Sequence, residues 1–296
     1  MRRRSFVRTS SFALAGAAAI SPSKEVLQNP SSYGITPSLN AYSFNHALLE
    51  EGMSLGKLFQ FAAKTGFPAV DLTAYYIPGY PEVPEDKDLY EIKREAFRTG
   101  ISFSGTGVRN DFTLKDPEAL ALQIEHVKQW IVAASKLGAP NIRVFDGKAP
   151  SSENSSSSTH QRVVDAFREC ARFGARHGVN VAFQNHNDFL ISSREIIDVI
   201  RRVDSDWFGL MLDTGSVAGP DPYSEIEKLM PYAVTWQVKE NVGAGEDSKA
   251  LDVKRLIELL HKHRYCGFLP LETLGEGDPR TKVKALYQKL VPELQP

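Results

Sequence analysis

Four apolar stretches in the second half of the chain end in side chains that can bind a cation or move a proton. They cover residues 179–183, 208–212, 234–236 and 268–271. A buried strand that turns polar at its last residues is typical of a parallel strand that delivers side chains to a site at its carboxyl end. The sequence therefore predicts one shared site, formed by Gln184, His186, Asp213, Gln237, Lys239 and Glu272.

Asp213 and Glu272 carry the strongest signal for chemistry, because each follows directly on an apolar strand. A carboxylate in such a position is costly unless it is paired, hydrogen-bonded or bound to a metal ion. The alternative is a structural carboxylate that caps backbone N–H groups or pairs with an arginine.

The four oxygen donors Gln184, Asp213, Gln237 and Glu272 suit a hard cation, Mn²⁺ or Mg²⁺ rather than Zn²⁺. Such an ion would polarise a carbonyl and stabilise the charge that develops when a neighbouring C–H proton is removed. Since two of these four ligands are neutral amides, the alternative that the site holds no metal ion stays open.

His186 and Lys239 are the other candidate catalytic residues, beside Glu272. His186 lies two residues beyond Gln184 and therefore on the same face of the strand, where it could bind a sugar hydroxyl or orient a ligand; a capping or packing role explains it equally well. Lys239 could act as an acid, a base or an anion binder, or form one half of an ion pair.

The earlier strand ends are less decisive. Arg109, Arg143 and Asp146 could bind a substrate, although a structural Arg–Asp pair explains them as well. The aromatic residues of the first strand and of the loop over residues 75–84 could form a stacking wall for a sugar ring, or simply pack in the core. These aromatic residues are Tyr42, Phe44, Tyr75, Tyr76 and Tyr80.

The elements that must position these residues alternate regularly between strand and helix patterns. Eight apolar strand patterns alternate with amphipathic helices at a spacing of about 30 residues, the first strand covering residues 39–44. Three Asp-Pro pairs and the capping box at Ser192–Glu195 mark helix starts. The pattern predicts an α/β fold, a single (β/α)8 TIM barrel over residues 37–296. The Ser-rich stretch 151–158 is predicted to be a flexible loop at the barrel mouth.

The first residues read as a targeting segment. Arg3-Arg4-Ser5-Phe6 resembles the twin-arginine export motif, and a short apolar stretch with Ala17–Ala19 follows. The sequence predicts a signal peptide over residues 1–19, a linker over 20–36, and a bacterial periplasmic or exported location. No segment of the mature chain is long and apolar enough to span a membrane.

The formal net charge of −1 argues against nucleic acid as a partner. We expect a small-molecule ligand at the strand-end site instead, and an oligomeric assembly stays open. The two cysteines, Cys170 and Cys266, are predicted to be buried free thiols, although an exported protein could pair them.

The strand ends resemble those of the xylose isomerase-like TIM barrel family, which includes sugar isomerases, keto-sugar epimerases, dehydratases and, more distantly, endonuclease IV. The resemblance covers residues 37–296 and is carried by F-Q-N-H-N, L-M-L-D-T-G-S, T-W-Q-V-K-E and L-P-L-E-T-L. The family's metal ligands, Glu, Asp, His and Glu in chain order, fall on Gln184, Asp213, Gln237 and Glu272. Two of the four are therefore changed to glutamine, and the histidine that often follows Asp213 by three residues is Ser216.

The resemblance implies an exported sugar isomerase or epimerase-like enzyme that removes a proton next to the carbonyl of a keto sugar, with a divalent metal ion. Because an amide cannot abstract a proton, Gln184 disfavours a mechanism with two opposed bases. Isomerisation by one base, or elimination or hydration of a 3-keto sugar, fits better, with Glu272 as the base and a metal ion or Lys239 stabilising the enolate. The alternative is a degenerate barrel that binds a sugar without turning it over.

Overall fold

The computed structural model describes residues 34–148 and 157–294. Eight parallel strands form one sheet in the order β10-β1-β2-β3-β4-β5-β6-β7. They are β1 (Ile35–Asn40), β2 (Ala69–Thr73), β3 (Ser102–Gly107), β4 (Asn141–Val144), β5 (Asn180–Gln184), β6 (Phe208–Asp213), β7 (Ala233–Gln237) and β10 (Gly267–Leu271).

The sheet curves until its two edges meet, at the carboxyl ends of β7 and β10. Val238 N donates to Pro270 O and Glu272 N donates to Val238 O, both at 2.8 Å. These bonds form a parallel bridge between Val238 and Leu271. The predicted (β/α)8 TIM barrel is confirmed.

Helices follow the strands around the outside of the barrel. They are α1 (Asn45–Leu49), α2 (Leu55–Thr65), α3 (Asp86–Arg98), α4 (Pro117–Leu137), α5 (Ser157–His177), α6 (Ser193–Val203), α7 (Pro222–Leu229), α8 (Val253–Lys262) and α9 (Pro279–Leu290). A short antiparallel pair, β8 (Asn241–Val242) and β9 (Lys249–Ala250), lies after β7. Among the described residues, no helix is long and apolar enough to cross a membrane.

The predicted helix starts are present, and side-chain caps form at three of them. Asp116 and Asp278 each accept backbone N–H bonds in the first turn of α4 and α9. Ser192 and Glu195 form the complete capping box of α6. Asp221 precedes Pro222 at the start of α7 but makes no side-chain cap, so that helix begins on the proline alone.

The first strand lies earlier in the chain than predicted. β1 ends at Asn40, and residues 41–44 form a 3-10 turn instead of the end of the strand. The side chain of Asn40 accepts a hydrogen bond from Tyr42 N at 2.9 Å, which caps the turn and ends the strand. The sequence signal for a strand at Tyr42 and Phe44 comes from their aromatic side chains, and Phe44 is buried in the core without being in a strand.

Neither cysteine forms a disulfide, but only Cys170 is buried. Cys266 is exposed, contrary to the prediction. It directly precedes β10, and its neighbour Tyr265 is the residue that is buried there. The signal peptide over 1–19, the linker to residue 33 and most of the Ser-rich loop lie outside the described residues.

Candidate active site

The carboxyl ends of the barrel strands surround a polar pocket of about 150 Å³. A cavity of about that volume holds a single six-membered ring such as benzene. Five of the predicted site residues border this pocket: Gln184, His186, Gln237, Lys239 and Glu272. Asp213 is fully buried and does not border it.

The ammonium group of Lys239 lies between the two carboxylates that the sequence singled out. Lys239 Nζ donates to Asp213 Oδ2 at 2.9 Å and lies 3.5 Å from Glu272 Oε2. All three side chains are buried or nearly so, and the attraction between buried charges is screened less than at the surface. Of the roles that the sequence left open for Lys239, the structure gives it the ion pair, with its charged end at the pocket.

Asp213 is held in place by four neighbours besides the lysine. Gly215 N donates to Oδ1 at 2.9 Å, and Ser216 Oγ donates to Oδ2 at 2.9 Å. Asn185 exchanges two hydrogen bonds with the Asp213 backbone, and Gln184 donates to its carboxylate. Because these hydrogen bonds fix its carboxylate, Asp213 holds the Lys239 ammonium in place from the side away from the pocket.

The two glutamines turn their amide nitrogens towards the carboxylates. Gln184 Nε2 donates to Asp213 Oδ2 at 2.8 Å, and Gln237 Nε2 donates to Glu272 Oε2 at 2.6 Å. The oxygen of Gln237 accepts a hydrogen bond from Asn40 Nδ2 at 3.3 Å. Each glutamine therefore acts as a donor that supports a carboxylate.

Burial changes the proton affinity of both charged groups that face the pocket. Desolvation raises the pKa of Glu272 from 4.5 to about 7, although the nearby Lys239 charge and the Gln237 hydrogen bond oppose the rise. For Lys239, burial lowers the pKa, but Asp213 and Glu272 together outweigh it and raise the pKa above its ordinary value. At neutral pH the lysine is a cation, and Glu272 is poised to take or release a proton.

His186 borders the pocket at its solvent side. Its ring lies 5.0 Å from that of Phe145, and Nδ1 lies 3.0 Å from Asp188 Oδ2. About 40% of the side chain is exposed. The histidine can therefore contact a ligand that enters the pocket, while Asp188 and Phe145 fix its orientation.

The opposite wall of the pocket carries a second group of polar and aromatic side chains. Arg143 Nη1 donates to Tyr75 OH at 3.0 Å and to Val108 O at 2.9 Å, and its guanidinium lies 4.3 Å from the centre of the Phe145 ring. Arg143 and Tyr75 both border the pocket. The wall presents a cation and a phenol to a ligand.

The Arg–Asp pair that the sequence left open as an alternative does not form between Arg143 and Asp146, because the two side chains bind other groups. The Asp146 carboxylate accepts backbone N–H bonds from Phe189, Leu190 and Gly147 and so ties the loop after β4 to the loop after β5. Arg109, in contrast, borders the pocket with Arg143.

Of the five aromatic residues proposed as a stacking wall, only Tyr42 and Tyr75 border the pocket. Phe44 is buried in the core. Tyr76 OH donates to Asn45 Oδ1, and Tyr80 OH accepts from Arg109 N. The rings of Tyr76 and Tyr80 contact that of Tyr75 and support it from the side away from the pocket.

The sequence analysis missed Asp71, which borders the same pocket from β2. It lies at the centre of Ala-Val-Asp-Leu-Thr, a strand in which every residue is buried. The signal that identified Asp213 and Glu272, a carboxylate beside apolar strand residues, is present at Asp71 as well. The difference is that Asp71 lies in the middle of its strand, whereas the other two lie at strand ends. Desolvation raises the pKa of Asp71 to about 7, against the opposing charge of Arg143.

The predicted metal-ligand set does not fit a divalent cation. Only two of its four members are anionic, the ammonium of Lys239 already lies between them, and both glutamines direct N–H groups at the carboxylates. A divalent cation placed between these carboxylates would meet the positive charge of the Lys239 ammonium. Among residues 34–148 and 157–294, no group of three or more His, Cys, Asp or Glu side chains is placed to hold a metal ion.

Fold and pocket together define a TIM barrel with a small polar ligand site at the carboxyl ends of its strands. The chain belongs to the xylose isomerase-like TIM barrel family, whose model matches residues 59–290. None of the curated proteins compared with the chain matches it.

Solved structures with the same fold include several enzymes of sugar chemistry. D-psicose 3-epimerase from Clostridium cellulolyticum H10, solved with D-tagatose, is similar at a TM-score of 0.73 and 16% identity, over 88% of this chain and 100% of that one. 3-Keto-D-glucoside 4-epimerase from E. coli is similar at a TM-score of 0.69 and 14% identity, over 88% and 100% of the two chains. The probable 3-DHS dehydratase from Bacillus anthracis is similar at a TM-score of 0.67 and 19% identity, over 86% and 97%.

Proposed function

We propose that the protein is an enzyme that removes a proton next to the carbonyl group of a keto sugar, with the ammonium of Lys239 in the role that a metal ion was expected to fill. One observation carries the proposal: Lys239 Nζ lies 2.9 Å from Asp213 and 3.5 Å from Glu272 at the edge of a ring-sized pocket. Formation of an enolate needs a base that takes the proton and a fixed cation that stabilises the charge on the oxygen. Glu272 and Lys239 are such a pair.

In this mechanism Glu272, in its ionised form, takes the proton from the carbon next to the carbonyl. The electron pair of the broken C–H bond moves towards the carbonyl oxygen, where negative charge develops. Lys239 stabilises that oxygen, and because Asp213 anchors the ammonium in advance, little reorganisation is needed during the reaction. Gln237 keeps the Glu272 carboxylate oriented through its hydrogen bond.

A sugar as the substrate class is supported by the lining and by the comparisons. Amide, guanidinium and phenol groups border the pocket, beside the faces of Tyr42 and Phe145. Such a mixture of hydrogen-bonding groups and aromatic faces suits a polyhydroxylated ring. The structural neighbours include a D-psicose 3-epimerase, a 3-keto-D-glucoside 4-epimerase and a probable 3-DHS dehydratase, although similarity at their level of identity establishes the fold alone.

The test is proton exchange in D₂O with D-psicose, D-fructose and methyl 3-ketoglucoside as probes. We expect deuterium to enter a carbon next to the carbonyl of at least one probe, at a rate unchanged by EDTA because Lys239 supplies the charge. Exchange abolished by EDTA and restored by Mn²⁺ would contradict the role of Lys239. Binding of a probe without exchange would favour the sugar-binding barrel instead.

We also propose export through the twin-arginine route, which the basic residues and apolar stretch of segment 1–19 support. Replacing Arg3 and Arg4 by lysine keeps the charge but removes the motif, so the variant should accumulate in the cytoplasm of a bacterial host. Cell fractionation measures the distribution. Export of the Lys-Lys variant at the wild-type level would refute this route.

A further inference from the structure

Arg143 is a buried arginine at the pocket that has no acidic partner. Among the described residues, the buried basic side chains are Lys239 and Arg143. Lys239 lies within ion-pair distance of two carboxylates. Arg143, in contrast, forms no ion pair and donates to the neutral oxygens of Tyr75 and Val108, while Asp71 attracts it only from a distance. Because buried charges in proteins are generally paired, a buried arginine without an acidic partner indicates a place where an anionic ligand binds.

The remaining donors of the Arg143 guanidinium are open to such a ligand. Its Nε and Nη2 atoms make no hydrogen bond to any described residue, yet neither is fully enclosed by protein. Gly107, the residue that pairs with Arg143 from β3, makes room for them. A Cβ there would lie 2.7 Å from Nε and 2.9 Å from Nη2. Glycine in a strand is typical of positions where another group approaches closely, and here it keeps a planar pair of donors available at the pocket.

Arg109 supplies a second cation to the same side of the pocket. It is exposed, and its guanidinium makes no hydrogen bond or ion pair with a described residue. The guanidinium centres of Arg109 and Arg143 lie 5.8 Å and 4.3 Å from the centre of the Phe145 ring. Tyr75 OH accepts a hydrogen bond from Arg143 and keeps its own proton for a ligand. Tyr75, Arg109 and Arg143 thus form a donor wall with two like charges, which favours an anion beside it.

The order of the strands places the donor wall opposite the group that takes the proton. β4, which carries Arg143, is the fourth strand from β10 in either direction around the closed barrel, so Arg143 lies across the barrel from Glu272. A ring bound with its carbonyl at Lys239 therefore directs a far substituent at the donor wall.

The size of the pocket favours a carboxylate as that substituent. The cavity is about as large as a single ring. A carboxylate is little larger than the hydroxymethyl group of a hexose, whereas a phosphate ester is much larger. The planar oxygens of a carboxylate also match the flat fork of donors that an arginine presents.

We propose that the donor wall binds a carboxylate, so that the substrate is a keto sugar acid instead of a neutral keto sugar. This inference rests on the proposed function and names the substrate class of the same site. Arg143 binds the carboxylate oxygens through Nε and Nη2, Arg109 approaches them from the solvent side, and Tyr75 donates its proton to the same group. The bound carboxylate compensates the charge of Arg143 and orients the carbonyl end of the substrate towards Lys239.

The experiment compares the binding of methyl β-D-glucuronide and methyl β-D-glucoside, which differ only in the carboxylate, by calorimetry at neutral pH. We expect wild type to bind the glucuronide about 10-fold more tightly or better, because hydrogen bonds to a charged group are the strong ones. Arg143→Gln and Arg109→Gln should each lose most of this preference. The control Arg172→Gln, at an exposed arginine of α5, should keep it. Circular dichroism shows whether each variant is folded.

The outcomes separate this proposal from the proposed function. Equal binding of the two glycosides by wild type, or no binding of the glucuronide, overturns the carboxylate site. A preference that persists in the folded arginine variants overturns the role of the donor wall, and Arg109→Gln decides this point alone if Arg143→Gln does not fold. Tighter binding of methyl glucoside 6-phosphate than of the glucuronide overturns the carboxylate as the group. The proposed function fails instead if no keto sugar, the 3-keto form of the glucuronide included, exchanges deuterium.

Discussion

Lys239→Met should lose enolate-forming activity and a large part of the folding stability at once. The substitution keeps the length of the side chain but removes the cation between Asp213 and Glu272. Removing a group that stabilises a developing oxyanion costs about 10²–10³-fold in kcat. Breaking a buried ion pair from one side costs about 3 kcal/mol, because a charge is left without compensation.

The stability loss should depend on pH in a way that identifies its cause. The Lys239 charge holds down the pKa of Glu272, so at pH 8 the variant must either bury an unpaired Glu272 carboxylate or take up a proton on folding. At pH 5 Glu272, whose pKa burial raises to about 7, already carries a proton. Urea unfolding should therefore show a larger difference between variant and wild type at pH 8 than at pH 5. The control is Lys249→Met, at an exposed lysine of β9, which should change neither activity nor stability. A Lys239→Met protein with wild-type turnover would remove the lysine from the mechanism.

Glu272→Gln should abolish C–H exchange while leaving the pocket folded. The amide has nearly the same size as the carboxyl group, can still bond to its neighbours, and cannot accept the proton, so we expect a loss of about 10²–10⁴-fold. The matched control is Glu276→Gln, at an exposed glutamate four residues further along the chain. NMR exchange in D₂O measures all three proteins. Equal exchange rates for Glu272→Gln and wild type would show that another group is the base.

The pH dependence of the wild type gives an independent check on Glu272. Its raised pKa of about 7 means that kcat/KM should fall as the pH drops below 7, because the base becomes protonated. The pH dependence of folding stability has the opposite sign. A carboxyl group whose pKa is higher in the folded protein than the unfolded value near 4.5 favours folding at low pH, and this contribution is lost as the pH rises towards 7. Glu272→Gln should flatten both profiles in this range, and activity independent of pH between 5 and 8 would exclude Glu272 as the base.

The sequence predicted the barrel well because its signals are local. Alternation of apolar strands with capped helices determines which segments pair, and parallel strands bring their carboxyl ends to one edge. The residues at the ends of β5, β6, β7 and β10 were therefore predictable as neighbours from their positions alone. The capping box at Ser192–Glu195 and the Asp-Pro pairs determine helix starts in the same local way.

Asp71 is a pocket residue that these local signals did not identify. A carboxylate in the middle of a strand gives no hint of which side chains will face it. Asn141, whose side-chain oxygen approaches Gly105 together with that of Asp71, lies 70 residues further along the chain. Only the curvature of the closed barrel brings their oxygens together above Gly105. The end of β1 was also predicted wrongly. One hydrogen bond from Tyr42 N to the Asn40 side chain ends the strand. Aromatic residues such as Tyr42 and Phe44 favour a strand prediction even where their backbone pairs with no neighbouring strand.

The sequence by itself determined the fold and the identity of the residues at the strand ends, since both follow from periodicity and chain order. It could not determine the partner of each charge. Gln184, Asp213, Gln237 and Glu272 are compatible with a metal ion as oxygen donors, yet side-chain rotation turns the amides into N–H donors and brings Lys239 between the carboxylates. Hydrogen-bond direction and ion pairing depend on distances of a few ångströms between strands, and these exist only in the closed barrel.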